Sequence, residues 1–259
     1  MKKASLFVLL MLITILAAGG ASFAACSATS LSAGNGTWGI EAYGVYSITT
    51  PETLLIQATF AAAGTFSGTE WQSSGGTFSG PTTISGTWST DVPVKSCQGT
   101  IIVTSPATQT FSFALNNGAK GAALTRTDLG YTMAGFMVAE GTVTCSATMF
   151  KSKQFSLYSN GYIPAVGPVT GSGEILFAST GLTFASDPTV TLDLGGAGNV
   201  TLAATGAATI SSGCTGTGSL TVTALNETFD VDFVVVDGGK EALWIVNNLE
   251  SATTGYFLE

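Results

Sequence analysis

The chain has 259 residues, 45% of them apolar and 9% charged, with eight basic against sixteen acidic side chains and no histidine. Without histidine there is no Ser-His-Asp or Cys-His nucleophile system, no His-ligated zinc and no haem-attachment motif. The acidic balance excludes nucleic acid as a partner, because displacing counterions from a polyanion needs clustered Lys and Arg, and it makes an anionic membrane surface repulsive.

In chain order, Lys2 and Lys3 precede an apolar run over 6–18, and Ser22 and Ala24 stand at the spacing of a cleavage site. This pattern predicts a secretory signal peptide over 1–24. The run is short for a membrane helix and no apolar stretch of about 18 residues follows it, so no membrane span is expected after signal cleavage. Phe23-Ala24-Ala25 ahead of Cys26 also fits a lipidated cysteine. The expected location is secreted, periplasmic or cell-surface.

Beyond this leader Glu, Lys, Arg and Gln are scarce, while Thr, Val, Phe and Gly fall in short alternating runs, which predicts an all-β fold with many tight turns. Eight strands are expected over 38–48, 54–60, 64–71, 82–88, 100–104, 110–115, 122–127 and 131–138. Eight more are expected over 155–162, 173–177, 190–194, 200–204, 219–223, 228–236, 242–247 and 254–258. In the sixth strand of each set, Phe111, Phe113 and Leu115 and then Val231, Phe233 and Val235 occupy alternate positions, the mark of one face turned to a core. Asn117-Gly118 and Asp237-Gly238, after these strands, are dipeptides suited to the positive φ angles of a type I′ hairpin.

Four ordered anchors make the chain an internal repeat. Cys26-Ser27-Ala28-Thr29 returns as Cys145-Ser146-Ala147-Thr148, and Cys97-Gln98-Gly99-Thr100 as Cys214-Thr215-Gly216-Thr217. Asn117-Gly118-Ala119-Lys120 answers to Asp237-Gly238-Gly239-Lys240, and Gly135-Phe136 to Gly255-Tyr256, all at offsets of 117 to 120 residues. The expected units are 26–144 and 145–259, each long enough to bury its own core. Eight short antiparallel strands are best closed into a small up-and-down, calycin-like barrel, with a β-sandwich as the alternative.

The repeat also chooses among the three pairings open to four cysteines. Its symmetric solution is Cys26 with Cys97 and Cys145 with Cys214, against a cross-unit bridge such as Cys97 with Cys145. Cys145 cannot be an amino-terminal lipidated residue, so its twin Cys26 is expected to be structural as well.

Gly-x-Ser-x-Gly, P-loop and Cys-x-x-Cys patterns are absent. Asp230 and Asp232 are the candidate acid pair for glycoside hydrolysis, but they alternate with Phe229, Val231 and Phe233 and so are expected to face solvent. Lys120 and Lys240 are the one charge shared by both units; each is either a solvated turn residue or a contact for an anionic ligand head at a barrel mouth. The segment 193–199 is similar to a calcium-binding Gly-rich turn, yet a single copy cannot build that site, and it reads as a hairpin loop. Trp38, Trp71, Trp88 and Trp244 read as core or end plugs.

The Cys-x-Gly-Thr motif followed by Asp237-Gly238-Gly239-Lys240-Glu241 resembles an uncharacterised module of exported bacterial proteins; the first unit departs from it at Asn117 and Ala119. The resemblance implies a secreted β-barrel unit and a bacterial source, and it transfers no active site. More loosely, the strand count is similar to that of lipocalin-like barrels, which hold small apolar ligands.

No catalytic, metal or cofactor residues are assigned from the sequence. The expected function is non-enzymatic: an exported binding or interaction protein whose partner is a small apolar ligand or a surface protein. A ligand would be lined by Phe111, Phe113, Leu115, Val231, Phe233 and Val235. The alternatives are a structural cell-surface or matrix component, a carboxylate-dependent hydrolase and an outer-membrane barrel. Function is expected where the two units differ.

Overall fold

The computed structural model describes residues 31–259 except 34–35, 48, 91–96, 117–119, 165, 182, 186–188, 195–198 and 249. The leader over 1–24, Cys26 and the Asn117-Gly118 turn lie outside the described residues.

Among the described residues sixteen strands follow one another. The first eight are β1 (Thr37–Tyr46), β2 (Thr50–Phe60), β3 (Thr65–Ser74), β4 (Thr77–Thr90), β5 (Gln98–Ser105), β6 (Gln109–Leu115), β7 (Gly121–Arg126) and β8 (Tyr131–Ala139). The second eight are β9 (Gln154–Ile163), β10 (Gly167–Leu176), β11 (Thr189–Leu194), β12 (Asn199–Ile210), β13 (Thr215–Val222), β14 (Glu227–Val236), β15 (Glu241–Val246) and β16 (Ala252–Leu258). Each set closes into an antiparallel up-and-down barrel, β1 pairing with β8 and β9 with β16, so no strand edge is left open. The sandwich alternative is thereby set aside.

The two barrels are wound alike in detail. Cys97 and Cys214 both take a left-handed backbone, φ 51° and 60°, and their carbonyls accept hydrogen bonds from Leu115 and Val235 at 2.8 Å. The β14–β15 connection has the positive φ expected of it, 46° at Asp237 and 67° at Gly238, but it spans four residues because pairing resumes only at Val236 with Glu241.

Period-two alternation decides which side chains enter each lumen. In β4, Ile84 and Trp88 are buried while Thr83, Ser85, Thr87 and Ser89 are exposed. The outer wall of the second barrel carries threonine pairs across strands, such as Thr209 with Thr217 and Thr191 with Thr201, both at 2.9 Å. Outward faces of this kind are unlike the apolar belt of an outer-membrane barrel. Among the described residues no helix is long and apolar enough to cross a membrane.

Where the barrels meet, alternation fails. Phe233 to Val236 and Ala242 to Val246 are buried at every position, as strands covered on both faces must be. Phe233 and Val235 look into the second lumen, whereas Val234, Val236, Leu243 and Ile245 pack on Leu55 and Trp71 of the first barrel. Close approach depends on Gly39, where a Cβ would stand 2.6 Å from Val236 Cγ1. Ser73 Oγ donates to the Ser251 carbonyl at 2.6 Å and Gln57 Nε2 to the Gly213 carbonyl at 2.7 Å across the same junction.

Cys145 and Cys214 are bridged, with a Cα separation of 5.2 Å, and both are buried in the second core. Cys97 is also disulfide-bonded, which leaves no room for a cross-unit bridge with Cys145; Cys26, the partner expected for it, lies outside the described residues. The Cys145–Cys214 bridge spans 69 positions. Replacing both cysteines by alanine is expected to lower the unfolding free energy by about 3–4 kcal/mol, mainly through the unfolded chain. Urea unfolding compared with the parent checks this, and an unchanged midpoint would show the bridge to be dispensable.

Candidate functional site

All six residues expected to line a lumen point inward and are buried: Phe111, Phe113 and Leu115 in β6, Val231, Phe233 and Val235 in β14. What surrounds them differs sharply between the barrels. The first is filled, and the residual void among Ile56, Phe60, Ile84, Phe111 and Leu124 is about 10 Å³, barely room for one water. There Phe111, Phe113 and Leu115 are packed core rather than the walls of a ligand cavity.

The second barrel holds two apolar voids of about 40 Å³ each. One lies toward the disulfide end, against Phe150, Phe177 and Phe233; the other lies toward the opposite end, against Ile163, Val169 and Val246. Leu157, Leu220, Phe229 and Trp244 border both and form the layer between them.

Strand register explains why these voids are larger than the one in the first barrel. Gly86 pairs with Val103 in the first barrel and Gly206 with Leu220 in the second. Counting from these pairs, Trp88 corresponds to Ala208, Ile84 to Ala204 and Ile101 to Gly218. Ala208 and Gly218 line the void toward the disulfide. Phe184 fills part of the space, lying so close on β12 that a Cβ at Gly206 would meet its ring at 2.2 Å.

The first barrel instead carries a charged layer that sequence reasoning missed, at the end where β7 leads into β8. Arg126 Nη1 donates to Glu52 Oε1 at 2.8 Å, and Arg126 Nε donates to Asp128 Oδ2 at 2.8 Å. The guanidinium lies 3.4 Å from the centroid of the Tyr131 ring. Gln72 Nε2 donates to Glu52 at 2.7 Å, and Gln109 Nε2 reaches both oxygens of Glu70 at 3.0 and 3.1 Å. Burial raises the pKa of Glu52, opposed by Arg126 and by the hydrogen bond from Gln72. Burial likewise raises that of Glu70, opposed by Gln109 and Arg126 and reinforced by Glu52.

By register, Glu52, Glu70, Gln109 and Arg126 correspond to Val169, Val190, Phe229 and Val246 of the second barrel. A signal was there to be read. Glu52 stands two residues before Leu54, Gln109 two before Phe111 and Arg126 two after Leu124, so the strand period directs all three inward. Glu52, Glu70, Gln109 and Arg126 are each at most 6% exposed and are hydrogen-bonded as Arg126 with Glu52 and Gln109 with Glu70, Gln109 Oε1 alone of these groups being without a partner among the described residues; the layer is an end plug rather than an open site.

The remaining candidates stand apart from both interiors. Asp230 is exposed on the outer wall and Asp232 is half-buried there; Asn248 Nδ2 donates to Asp230 at 3.1 Å and Asn247 Nδ2 to Asp232 at 2.9 Å. Burial raises the pKa of Asp232 and the hydrogen bond from Asn247 opposes it. Lys120 and Lys240 are exposed, and neither borders a lumen void. Segment 193–199 joins β11 to β12 with Asp193 paired to Asn199, the geometry of a hairpin; its residues 195–198 are outside the described set. Trp38 and Trp88 are core of the first barrel, Trp71 belongs to the junction and Trp244 to the second lumen. Among the described residues no group of three or more His, Cys, Asp or Glu is placed to hold a metal ion.

No family model and no curated protein matches the chain. Among solved structures it is similar to kievitone hydratase from Nectria haematococca, at 11% identity and a TM-score of 0.32, over 93% of each chain. It is similar also to a protein of unknown function of the DUF3598 family from Nostoc punctiforme, at 8% identity and a TM-score of 0.24, over 88% of this chain and 97% of the other. At such distances neither likeness bears on activity.

Proposed function

We propose that the protein is an exported, non-enzymatic binding protein that holds a small apolar ligand in the lumen of its second barrel. The observation that carries this reading is the pair of apolar voids in that barrel, one of them opened where Ala208 and Gly218 occupy the positions that Trp88 and Ile101 fill in the first. Apolar lumens of this kind bind by burying ligand surface, at about 25 cal/mol per Å². Each void alone suits a fragment of a few carbon atoms. The Leu157, Leu220, Phe229 and Trp244 layer separates two spaces lying one beyond the other, so a slender chain that displaces it would occupy both. The first barrel, solid and closed by an ionic plug, serves as a rigid platform, and a structural role at the cell surface is compatible with that half. The disulfides and the leader pattern support export.

Refilling the lumen tests the reading. Ala208→Trp restores the residue found at Trp88, and Ala208→Leu does so more gently. Both are expected to weaken binding of the fluorescent probe N-phenyl-1-naphthylamine at least tenfold while leaving the far-ultraviolet circular dichroism unchanged. Native mass spectrometry of protein from its source is expected to show a co-purifying apolar molecule. Probe binding that persists in a folded Ala208→Leu protein would remove the second lumen from consideration.

A further inference from the structure

We infer that the second lumen recognises an oxygen-bearing apolar molecule, a ketone or alcohol rather than a hydrocarbon, through Trp244 Nε1 and Thr253 Oγ1. This rests on the binding role proposed above and names the chemistry of its ligand. Both side chains border the void remote from the disulfide. Both residues are 5% exposed, and neither polar atom has a hydrogen-bond partner among the described residues.

Buried donors almost always find acceptors, and leaving one unmade costs about 1–3 kcal/mol. In the core of the first barrel Trp38 Nε1 donates to the Leu31 carbonyl at 2.8 Å and Trp88 Nε1 to the Ala61 carbonyl at 3.0 Å, whereas Trp71 Nε1, at the junction, has no partner among the described residues. Trp244 is equally well placed in its core yet has no such partner among the described residues.

The neighbouring backbone keeps these groups where they are. Gly255 lies opposite Trp244 on β16, and a Cβ there would come within 2.5 Å of Cζ2, so only glycine lets the indole lie flat against that strand. Phe257 stacks on the same ring at 5.9 Å between centroids. Gly161 lies opposite Thr253, and a Cβ there would stand 2.5 Å from the Thr253 hydroxyl. Two glycines thus clear space for one N–H and one O–H beside a void whose other borders are mostly apolar, Ser159 and Thr170 being the further polar residues there. A ligand oxygen accepting from both would satisfy them, its alkyl part filling the adjoining void.

Displacement of N-phenyl-1-naphthylamine by the matched pair 2-octanone and octane measures the preference. The ketone is expected to bind at least tenfold more tightly than the alkane to the parent protein. Thr253→Val, which keeps the shape and removes the hydroxyl, and Trp244→Phe, which removes the N–H, are each expected to cut that ratio severalfold while leaving octane binding within about twofold in Thr253→Val. Equal affinity for ketone and alkane in the parent would overturn the polar subsite and leave the apolar lumen standing, as would a ketone preference untouched by both substitutions. If neither compound displaces the probe, or the probe does not bind, the binding role itself falls and the inference with it.

Discussion

Replacing Arg126 with methionine is expected to lower the unfolding free energy by about 3–5 kcal/mol at pH 8, the range found when one partner of a buried ion pair is removed. Glu52 is 1% exposed and Glu70 is 6% exposed, and Arg126 is the cation that draws both toward ionisation. Methionine fills similar space but leaves the two carboxylates without a counter-charge. They escape by taking up protons, so the loss is expected to be smaller at pH 5 than at pH 8. The additional replacement Glu52→Gln is expected to recover part of the loss at pH 8, because it removes one of the stranded charges. Urea unfolding of the three proteins at both pH values checks this, and an Arg126→Met protein as stable as the parent at pH 8 would show that the layer contributes nothing to holding the barrel end closed.

The second large effect concerns the junction. Glu41 projects between Leu55 and Phe136, its neighbours on β2 and β8, toward the second barrel. Burial raises its pKa to about 8, with Glu241 adding to the rise and the Thr254 hydroxyl opposing it. One carboxylate oxygen of Glu41 has no partner among the described residues. Glu241, across the junction, is itself raised to about 7 by burial and by Asp237.

Between about pH 4.5 and 8 the folded protein therefore holds a proton on Glu41 that the unfolded chain has released. Its contribution to stability is complete below the ordinary carboxylate pKa of 4.5 and is lost as pH rises to about 8. A shift of that size corresponds to a loss of on the order of 5 kcal/mol. Glu41→Gln is expected to match the parent near pH 4 and to exceed it by several kcal/mol at pH 8.5. Parallel denaturant curves across that range would defeat the assignment.

Much of the scaffold could be read from residues alone because a barrel wall repeats one instruction. Phe111-Ser112-Phe113-Ala114-Leu115 tells each side chain which way to face, and the spacing of such segments counts the strands. The repeated cysteine positions gave the Cys145–Cys214 bridge of the second unit. Three things were less legible. The charged layer joins Glu52 to Arg126 across 74 positions, and the inward register of each polar residue becomes informative only when the barrel is closed. The junction was foreshadowed by the unbroken apolar run Phe233 to Val236, which departs from alternation, but nothing local says what covers its outer face. The burial of Glu41 depends wholly on that docking. The void toward the disulfide in the second lumen depends on differences of volume, Trp88 against Ala208 and Ile101 against Gly218, which align only once register is known.

The docking of β14, β15 and β16 against the first barrel gives the second barrel two mechanically different sides. Strands whose inner face walls the lumen and whose outer face is Val234, Val236, Leu243 and Ile245 cannot bow outward without uncovering the junction. The opposite wall, β10 to β13, turns mainly threonine, serine and alanine toward water and touches the first barrel at the β12–β13 turn, where the Gly213 carbonyl accepts from Gln57. On the binding role proposed above, motions that admit or release a guest are expected on that less buried side, because local opening follows the path with the fewest buried contacts. On that proposal the fused pair is a vessel with one braced wall and one yielding wall, the first barrel deciding which wall can give.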